Sequence, residues 1–185
     1  MGASTLSRYQ SNYMECLELA AYLRDNLVYC PDSGELYWTK PKGKRDLKKP
    51  VGVLHSSGYL IFSAGFDNKR YSLRVHRVCW FLHTGSWPEK FLDHVNGDGT
   101  DNRISNLREA TYLENNQNMS ISKRNTSGYK GVSWCRERGK WTARIKDGTG
   151  KYCYLGRFGC KTAAAIAYDR ASLKYHGEFG NRNFP

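Results

Sequence analysis

The stretch from Asp93 to Asn118 crowds imidazole, carboxylate and amide groups together as no core segment would. His94 is an imidazole with an ordinary pKa of ~6.5, largely neutral at pH 7 and able to take a proton from water. Around it stand the carboxylates Asp93, Asp98 and Asp101 and the amides Asn96, Asn102, Asn106, Asn115, Asn116 and Asn118, with no apolar periodicity among them. Such a set suits metal-assisted hydrolysis, which for a phosphodiester would ask for an activated water, a counter-charge for the pentavalent phosphate and stabilisation of the leaving 3′ oxygen. The imidazole meets the first need and a divalent ion meets the other two.

Three elements must bring these groups together. An apolar run ending in Phe91 and Leu92 reads as a short strand that delivers Asp93 and His94 to a loop. Neighbouring strand residues point to opposite faces, so the strand must end or bulge there for both to serve one site, and Asn96-Gly97-Asp98-Gly99 supplies the turn chemistry. Leu107 to Ala110 returns as a second strand, and Thr111-Tyr-Leu-Glu114 has the capping-box spacing that starts a helix, with Asn115 in its first turn. An isolated Asp-His pair belongs to any polar surface loop; the two strands, the helix start and the further amides turn the reading toward a site. Asn102 can cap a local turn, and Asn118, one helical turn past Asn115, can touch a phosphate or solvent.

In these residues the chain resembles the HNH endonucleases, most closely the phage homing type with an Asp-His pair, a central Asn and a closing Asn. The resemblance implies a ββα-metal module with His94 as general base, Asn106 bracing the loop between the strands, and Asp93 and Asn115 as metal ligands. The third position is Asn115 rather than His, so the implied metal shell is all oxygen, which favours Mg2+ or Mn2+ over zinc. One carboxylate and one amide make a weak cage, so phosphate oxygens and waters would complete it, and metal and substrate would bind together.

The chain has 185 residues, a formal net charge of +12 and a pI near 9.5, which points to a polyanionic partner, here double-stranded DNA. Residues 123–185 hold 14 Lys and Arg against 4 Asp and Glu, leaving 15 against 13 upstream, so ten of the twelve excess charges lie in the last third. The six cysteines include no Cys-x-x-Cys pair, so no structural zinc is expected and they read as reduced thiols. With no signal peptide and no apolar run near ~18 residues, the expected place is the cytoplasm, that of a bacterial host for a phage-encoded protein, with no membrane partner.

Residues 1–12 are polar and patternless, a flexible start. From Tyr13 to Asn26, Met14, Leu17 and Ala21 recur at helical spacing and predict one amphipathic helix. Pro31-Asp-Ser-Gly34 is a turn before a strand over residues 35–39. The basic, breaker-rich loop over residues 40–49 reads equally as a solvated surface or as a phosphate-holding one. Residues 51–54, 59–64 and 70–75 form a small antiparallel meander, and residues 75–83 a helix stopped by Gly85. His76, four residues before Trp80, reads as a packing residue rather than a partner of the catalytic loop.

Residues 117–127 read as a linker, with Lys123 and Arg124 on the DNA backbone. Beyond it, three strand-like runs over residues 128–132, 140–146 and 151–158 precede an Ala-rich helix over residues 161–175. Tyr-Lys-Gly-Val, Trp-Thr-Ala-Arg-Ile, Tyr-Leu-Gly-Arg-Phe, Ala-Tyr-Asp-Arg-Ala and the terminal Asn-Phe-Pro resemble the APETALA-type domain of plant ethylene-response factors. The resemblance implies a three-stranded sheet lying in the major groove with the helix packed behind it. Alternation agrees: Trp141, Ala143, Ile145, Cys153 and Leu155 can face the helix, leaving Thr142, Arg144, Lys146, Tyr152 and Tyr154 outward. On the helix, Ala163, Ala167 and Ala171 are small enough for close packing. Lys130 stands where that family has an Arg, Ser133 at another Arg position, and Tyr152 and Tyr154 at an Arg and a Trp, so the plant target preference is not carried over. Lys130, Arg136, Arg138, Arg144, Lys146, Tyr152 and Tyr154 remain as DNA contacts.

The expectation is thus an α+β chain: a nuclease domain over residues 13–116, a linker over 117–127 and a DNA-binding domain over 128–185. Its activity would be that of a metal-dependent, site-directed DNA endonuclease, with a monomer that nicks as the simpler case. Two alternatives are a DNA-binding regulator on an inactive nuclease fold and a weakly specific packaging or recombination nuclease.

Overall fold

The computed structural model describes residues 17–43 and 45–185, so the flexible start and the helical turn with Met14 lie outside the described residues. Contacts divide the chain between Glu109 and Ala110 into two compact units. Among the described residues no helix is long and apolar enough to cross a membrane.

The first unit is built on one apolar core. Helix α1 (Leu17–Asn26) buries Leu19 and Leu23, whereas Leu17 is 88% exposed. The predicted face through Leu17 and Ala21 is therefore corrected: Leu19 and Leu23, four residues apart, carry the stripe, and Leu27 of the next strand joins them in the core. That strand, β1 (Leu27–Cys30), is too short to show alternation in the sequence. It pairs antiparallel with β2 (Glu35–Trp38), from Leu27 opposite Trp38 to Cys30 opposite Glu35, around the Pro31–Gly34 turn. The meander comes next as β3 (Val53–Leu54), β4 (Leu60–Phe66) and β5 (Lys69–Arg74), all antiparallel. Asp67 and Asn68 join β4 to β5 with φ of 47 and 55, the double left-handed turn that fits a two-residue hairpin. Helix α2 (Val75–Thr84) ends at Gly85, whose left-handed backbone lets its N–H donate to Phe81 O. Val75, Val78, Cys79 and Phe81 of α2 pack with Leu23, Leu36 and Leu73.

Strands β6 (Phe91–His94) and β7 (Leu107–Ala110) pair as a two-stranded ribbon. The loop between them ends in a 3-10 turn over Ile104–Asn106, an element with no signature in the sequence. Two glycines let other segments approach this loop. A Cβ on Gly34 would run into the backbone of Asn102 and Arg103, and one on Gly99 into the carbonyl of Gly58. Ile104 N also donates to Pro31 O at 3.1 Å, so the β1–β2 turn lies directly against the loop.

The second unit begins with α3 (Tyr112–Asn118), capped reciprocally by Thr111 and Glu114. Strands β8 (Val132–Cys135), β9 (Lys140–Lys146) and β10 (Tyr152–Phe158) form an antiparallel sheet in the order β10-β9-β8. Helix α4 (Lys161–His176) covers one face of it. Among its buried side chains, Ala164, Ala165, Tyr168 and Ala171 are set against Val132, Ala143 and Ile145. Of the predicted packing row, Ala167 and Ala171 pack on the core, whereas Ala163 is exposed and Ala164, Ala165 and Tyr168 fill the sheet-facing positions beside them. A Cβ on Gly131, at φ 73, would strike the Tyr168 ring, so glycine there is what lets the aromatic lie flat under β8.

Gly34 combines a left-handed φ of 78 with contact against the site loop, whereas Gly85, at φ 82, has nothing within 4 Å. Gly34→Ala is expected to cost more than the ~1–3 kcal/mol of a left-handed non-glycine residue, and Gly85→Ala only that part. Urea midpoints measure both; equal losses would refute the close approach at Gly34.

Candidate functional site

The β6–β7 loop is held by its own amides. Asn106 Oδ1 accepts from Asn96 N at 3.0 Å, and Asn106 Nδ2 donates to Asn96 Oδ1 at 3.0 Å and to Asp101 O at 2.8 Å. Val95 N donates to Asn106 O at 2.9 Å. One buried side chain thus ties the start, middle and end of the loop. At the loop's rim Arg103 Nε and Nη2 donate to the two Asp101 oxygens at 2.8 and 2.6 Å, a bidentate pair that holds the Asp101 carboxyl down at about 2.

The strand β6 ends at His94, and Asp93 and His94 are both buried, at 5% and 4% exposure. Asp93 Oδ2 accepts from Arg108 Nε at 3.0 Å and pairs with Arg108 Nη2 at 2.9 Å on β7. His94 Nε2 donates to Asn102 Oδ1 at 3.1 Å. With the ring proton committed to Nε2, the lone pair of the neutral ring lies on Nδ1. Burial pushes the His94 pKa below its ordinary value, against the opposing pull of the Asn102 bond and of Asp93, Asp98 and Asp101.

Asn102, which alternation and turn chemistry leave as a local cap, is instead 1% exposed and bound on both sides: its side chain takes His94, and its carbonyl accepts from Tyr29 Oη at 2.7 Å. His76, read from the sequence as packing, lies edge-on to the His94 ring with centroids 5.2 Å apart. Tyr59 completes the group, 5.0 Å from His76 and 5.7 Å from His94. Burial, then the neighbouring His94, Arg74 and Arg77, push the His76 pKa well down, so this ring is a neutral wall behind the other. Helical spacing marks His76 as inward-facing, but only the meander's return at Tyr59 brings it to the site. Arg108 has an even weaker signal, a basic residue in a strand that pairs with the Asp-His strand.

Among the described residues no three His, Cys, Asp or Glu cluster as a metal site. Asn115 stands half-buried in the first turn of α3, where its N–H donates to Thr111 O at 3.0 Å. Asn118 at the other end of the helix is buried, at 6% exposure, and so is turned away from solvent.

The outward face of the β8–β10 sheet carries Arg144, Lys146, Tyr152 and Tyr154, all exposed. Lys146 lies over the Tyr152 ring at 5.1 Å. Arg157 joins them, although uninterrupted alternation would turn it inward with Cys153 and Leu155. The ladder runs from Tyr154 opposite Arg144 directly to Gly156 opposite Ala143, so a bulge absorbs Leu155 and reverses the facing of the residues after it. Gly156, at φ 126, makes the bulge possible, and Arg157 comes to lie 5.7 Å from the Tyr154 ring. Arg144, Tyr152, Tyr154 and Arg157 together line an open recess. Thr142 departs from the outward reading, being 4% exposed between Ser133 and Arg157. Lys123 and Arg124 are exposed on the segment before the sheet, and Arg136 and Arg138 on the 3-10 turn after β8. Lys130 is not: its ammonium donates to Gln117 O and Met119 O, each at 2.6 Å.

Residues 73–117 match the family described as HNH endonuclease, and residues 127–178 the AP2 domain. Protein 3.8 of Escherichia phage T7 is 34% identical over 107 residues, which is 57% of this chain and 87% of that protein. APETALA2-like protein 2 of Oryza sativa subsp. indica is 46% identical over 59 residues, 32% of this chain, and the chain spans 13% of that protein's length. The HNH homing endonuclease I-HmuI, in a structure of DNA binding and cleavage, aligns with a TM-score of 0.40 and 18% identity over 82% of this chain and 85% of that one. The Asp-His strand, the amide-braced loop and the capped helix after it fall within the first of these matches and the sheet with α4 within the second: the chain belongs to the HNH endonuclease family and carries an AP2 domain.

Proposed function

We propose that this protein is a metal-dependent, site-directed DNA endonuclease of the homing type, with His94 as the general base. The observation that carries this is the His94 Nε2 bond to Asn102 Oδ1, which fixes the tautomer and puts the basic lone pair on Nδ1. A ring kept neutral by burial accepts the proton of the attacking water at physiological pH. His76 and Tyr59 hold the ring in place, and Asn106 keeps the loop around it closed.

Asp93 and Asn115 are the proposed ligands of Mg2+ or Mn2+, and Asn115 belongs to the unit that begins at Ala110. The donors are a carboxylate and an amide oxygen, hard ligands that suit these ions better than zinc. Bound there, the ion would supply the counter-charge for the phosphate and for the leaving 3′ oxygen. Arg108 balances the buried Asp93 charge and aims the carboxylate.

Addressing falls to the AP2 domain, with the nuclease chemistry assigned to residues 13–116 and DNA binding to residues 128–185. Lys123, Arg124, Arg136 and Arg138 take phosphates, while Arg144, Lys146 and Arg157, flanked by Tyr152 and Tyr154, present donors and ring faces to base edges. The partner is double-stranded DNA in the cytoplasm, and a monomer with one His94 nicks one strand.

His94→Ala should lose at least ~100-fold in cleavage rate while retaining its affinity for DNA, because a general base acts on water rather than on bound substrate. Nicking of supercoiled plasmid and equilibrium binding measure the two, and a variant within tenfold of wild type removes His94 from this role.

The pH dependence carries a sign. The base works deprotonated, and its pKa is pushed down, so activity should hold through ~6.5 and fall only at lower pH, as the ring protonates. A kcat/KM profile whose acid limb has its midpoint above ~6.5 contradicts the assignment.

On the sheet, Arg144→Ala or Arg157→Ala should cost about 1–3 kcal/mol on the preferred site and relax selectivity at one position. Lys123→Ala should weaken all duplexes alike and flatten the slope of log affinity against log salt by ~0.9. Should Arg157→Ala behave like Lys123→Ala, Arg157 is a phosphate contact and reads no base.

A further inference from the structure

We propose that Lys130 is a positioning residue that clamps the end of α3, the helix carrying Asn115, and that it does not contact DNA. The proposal rests on the reading of Asn115 as a metal ligand. It separates Lys130 from the other basic residues of this unit, whose side chains are exposed.

Seven residues are too few for a helix to hold itself in water, so α3 must be held by tertiary contacts. At its start the Thr111 and Glu114 capping box serves this purpose. At its end the last carbonyls lack helical partners, and the helix dipole favours a cation there. Lys130 Nζ supplies one, donating to Gln117 O and Met119 O at 2.6 Å. Asn181 adds two more donors, from Nδ2 to Asn118 O at 3.0 Å and from its N–H to Gln117 O at 3.4 Å. Burial pushes the Lys130 pKa down to about 8, which leaves the ammonium largely charged at pH 7.

The clamp is itself fixed. Lys130 N donates to Asn183 Oδ1 at 2.7 Å, and Asn183 Nδ2 returns a bond to Lys130 O at 3.2 Å. Asn183 is held in turn by Asp169 of α4, whose Oδ1 accepts from Asn183 N at 2.8 Å and whose Oδ2 accepts from Phe184 N at 2.9 Å. On the other side, Gly131 is pinned beneath Tyr168. Sheet, α4 and C-terminal segment therefore converge on the backbone of Lys130, and its side chain carries that rigidity to α3. The consequence is that a residue of the nuclease motif is positioned by the AP2 domain.

The test compares full-length wild type, Lys130→Met and Lys130→Arg with a mixed-sequence duplex, a supercoiled plasmid and Mn2+. For Lys130→Met the salt slope of duplex affinity should be unchanged. Amide exchange over residues 112–119 should rise by about tenfold or more, the loss of charged hydrogen bonds, with strands β8 to β10 unaffected. The Mn2+ concentration that half-saturates nicking should rise too, and Lys130→Arg should recover part of it. A slope flattened by ~0.9 with unchanged exchange makes Lys130 a phosphate contact and overturns the proposal. If Lys130→Met does not fold, Asn181→Ala, which removes the side-chain bond to Asn118 O, carries the same expectations, and unchanged exchange in it overturns them. Asn115→Ala separates the two readings: an unaltered Mn2+ response there refutes Asn115 as a ligand, while the exchange and salt measurements still decide the clamp.

Discussion

The hydrogen bond between His94 Nε2 and Asn102 Oδ1 is the contact around which the first unit is arranged. It acts only if Asn102 is immobile, and an amide in a long polar loop is not immobile by nature. The fold answers this with backbone approach rather than with apolar burial. The β1–β2 turn comes against the loop at Asn102 and Arg103, at a glycine because any side chain would collide, and Tyr29 of β1 takes the Asn102 carbonyl. The core beneath, from Leu19 and Leu23 through Leu36 to Phe81, anchors β1 and β2 on either side of that turn through Leu27 and Leu36.

Electrostatics in the site are set by burial. A buried imidazole flanked by a second imidazole and a phenol sheds its proton more readily than an exposed one. The neighbouring buried carboxylate of Asp93 would be costly alone, and Arg108 answers it from the opposite strand. Such a pair adds little net stability, since both ions are desolvated, but removing one partner leaves an uncompensated charge. Its value here is geometric: the guanidinium holds one carboxylate oxygen, Oδ2, in place.

In the second unit the sheet separates a face packed on α4 from an exposed basic and aromatic one, and the separation depends on one irregularity. Without the bulge at Leu155, Arg157 would be driven into the face packed on α4, where a guanidinium has no place. With it, Leu155 and Phe158 both pack inward and Arg157 joins Arg144 and the tyrosines outside. Lys130 shows the converse. By residue type it belongs with the exposed basic residues, yet its ammonium is spent on two carbonyls, where losing water is offset by charge-assisted hydrogen bonds.

Much of this was legible in the residues alone, wherever the determinant is local. The Asp-His strand end, the capping box at Thr111 and Glu114, the Gly85 stop, the meander and the sheet with its Ala-rich helix arise from alternation, turn residues and caps, each acting over a few positions. Features that depend on distant segments were not legible. The buried stripe of α1 runs through Leu19 and Leu23 because of the groups that pack on it, and β1 exists because β2 pairs with it. His76 and Tyr59 meet His94 only when the meander folds back, and Asn102 becomes a histidine's partner only when the β1–β2 turn presses on the loop. The outward turn of Arg157 likewise reverses what alternation suggests, and the inward engagement of Lys130 what its residue type suggests. The sequence by itself determined which groups could do chemistry and which elements carry them; which groups touch was decided by tertiary structure, because burial, register and hydrogen-bond partners are properties of residues far apart in the chain.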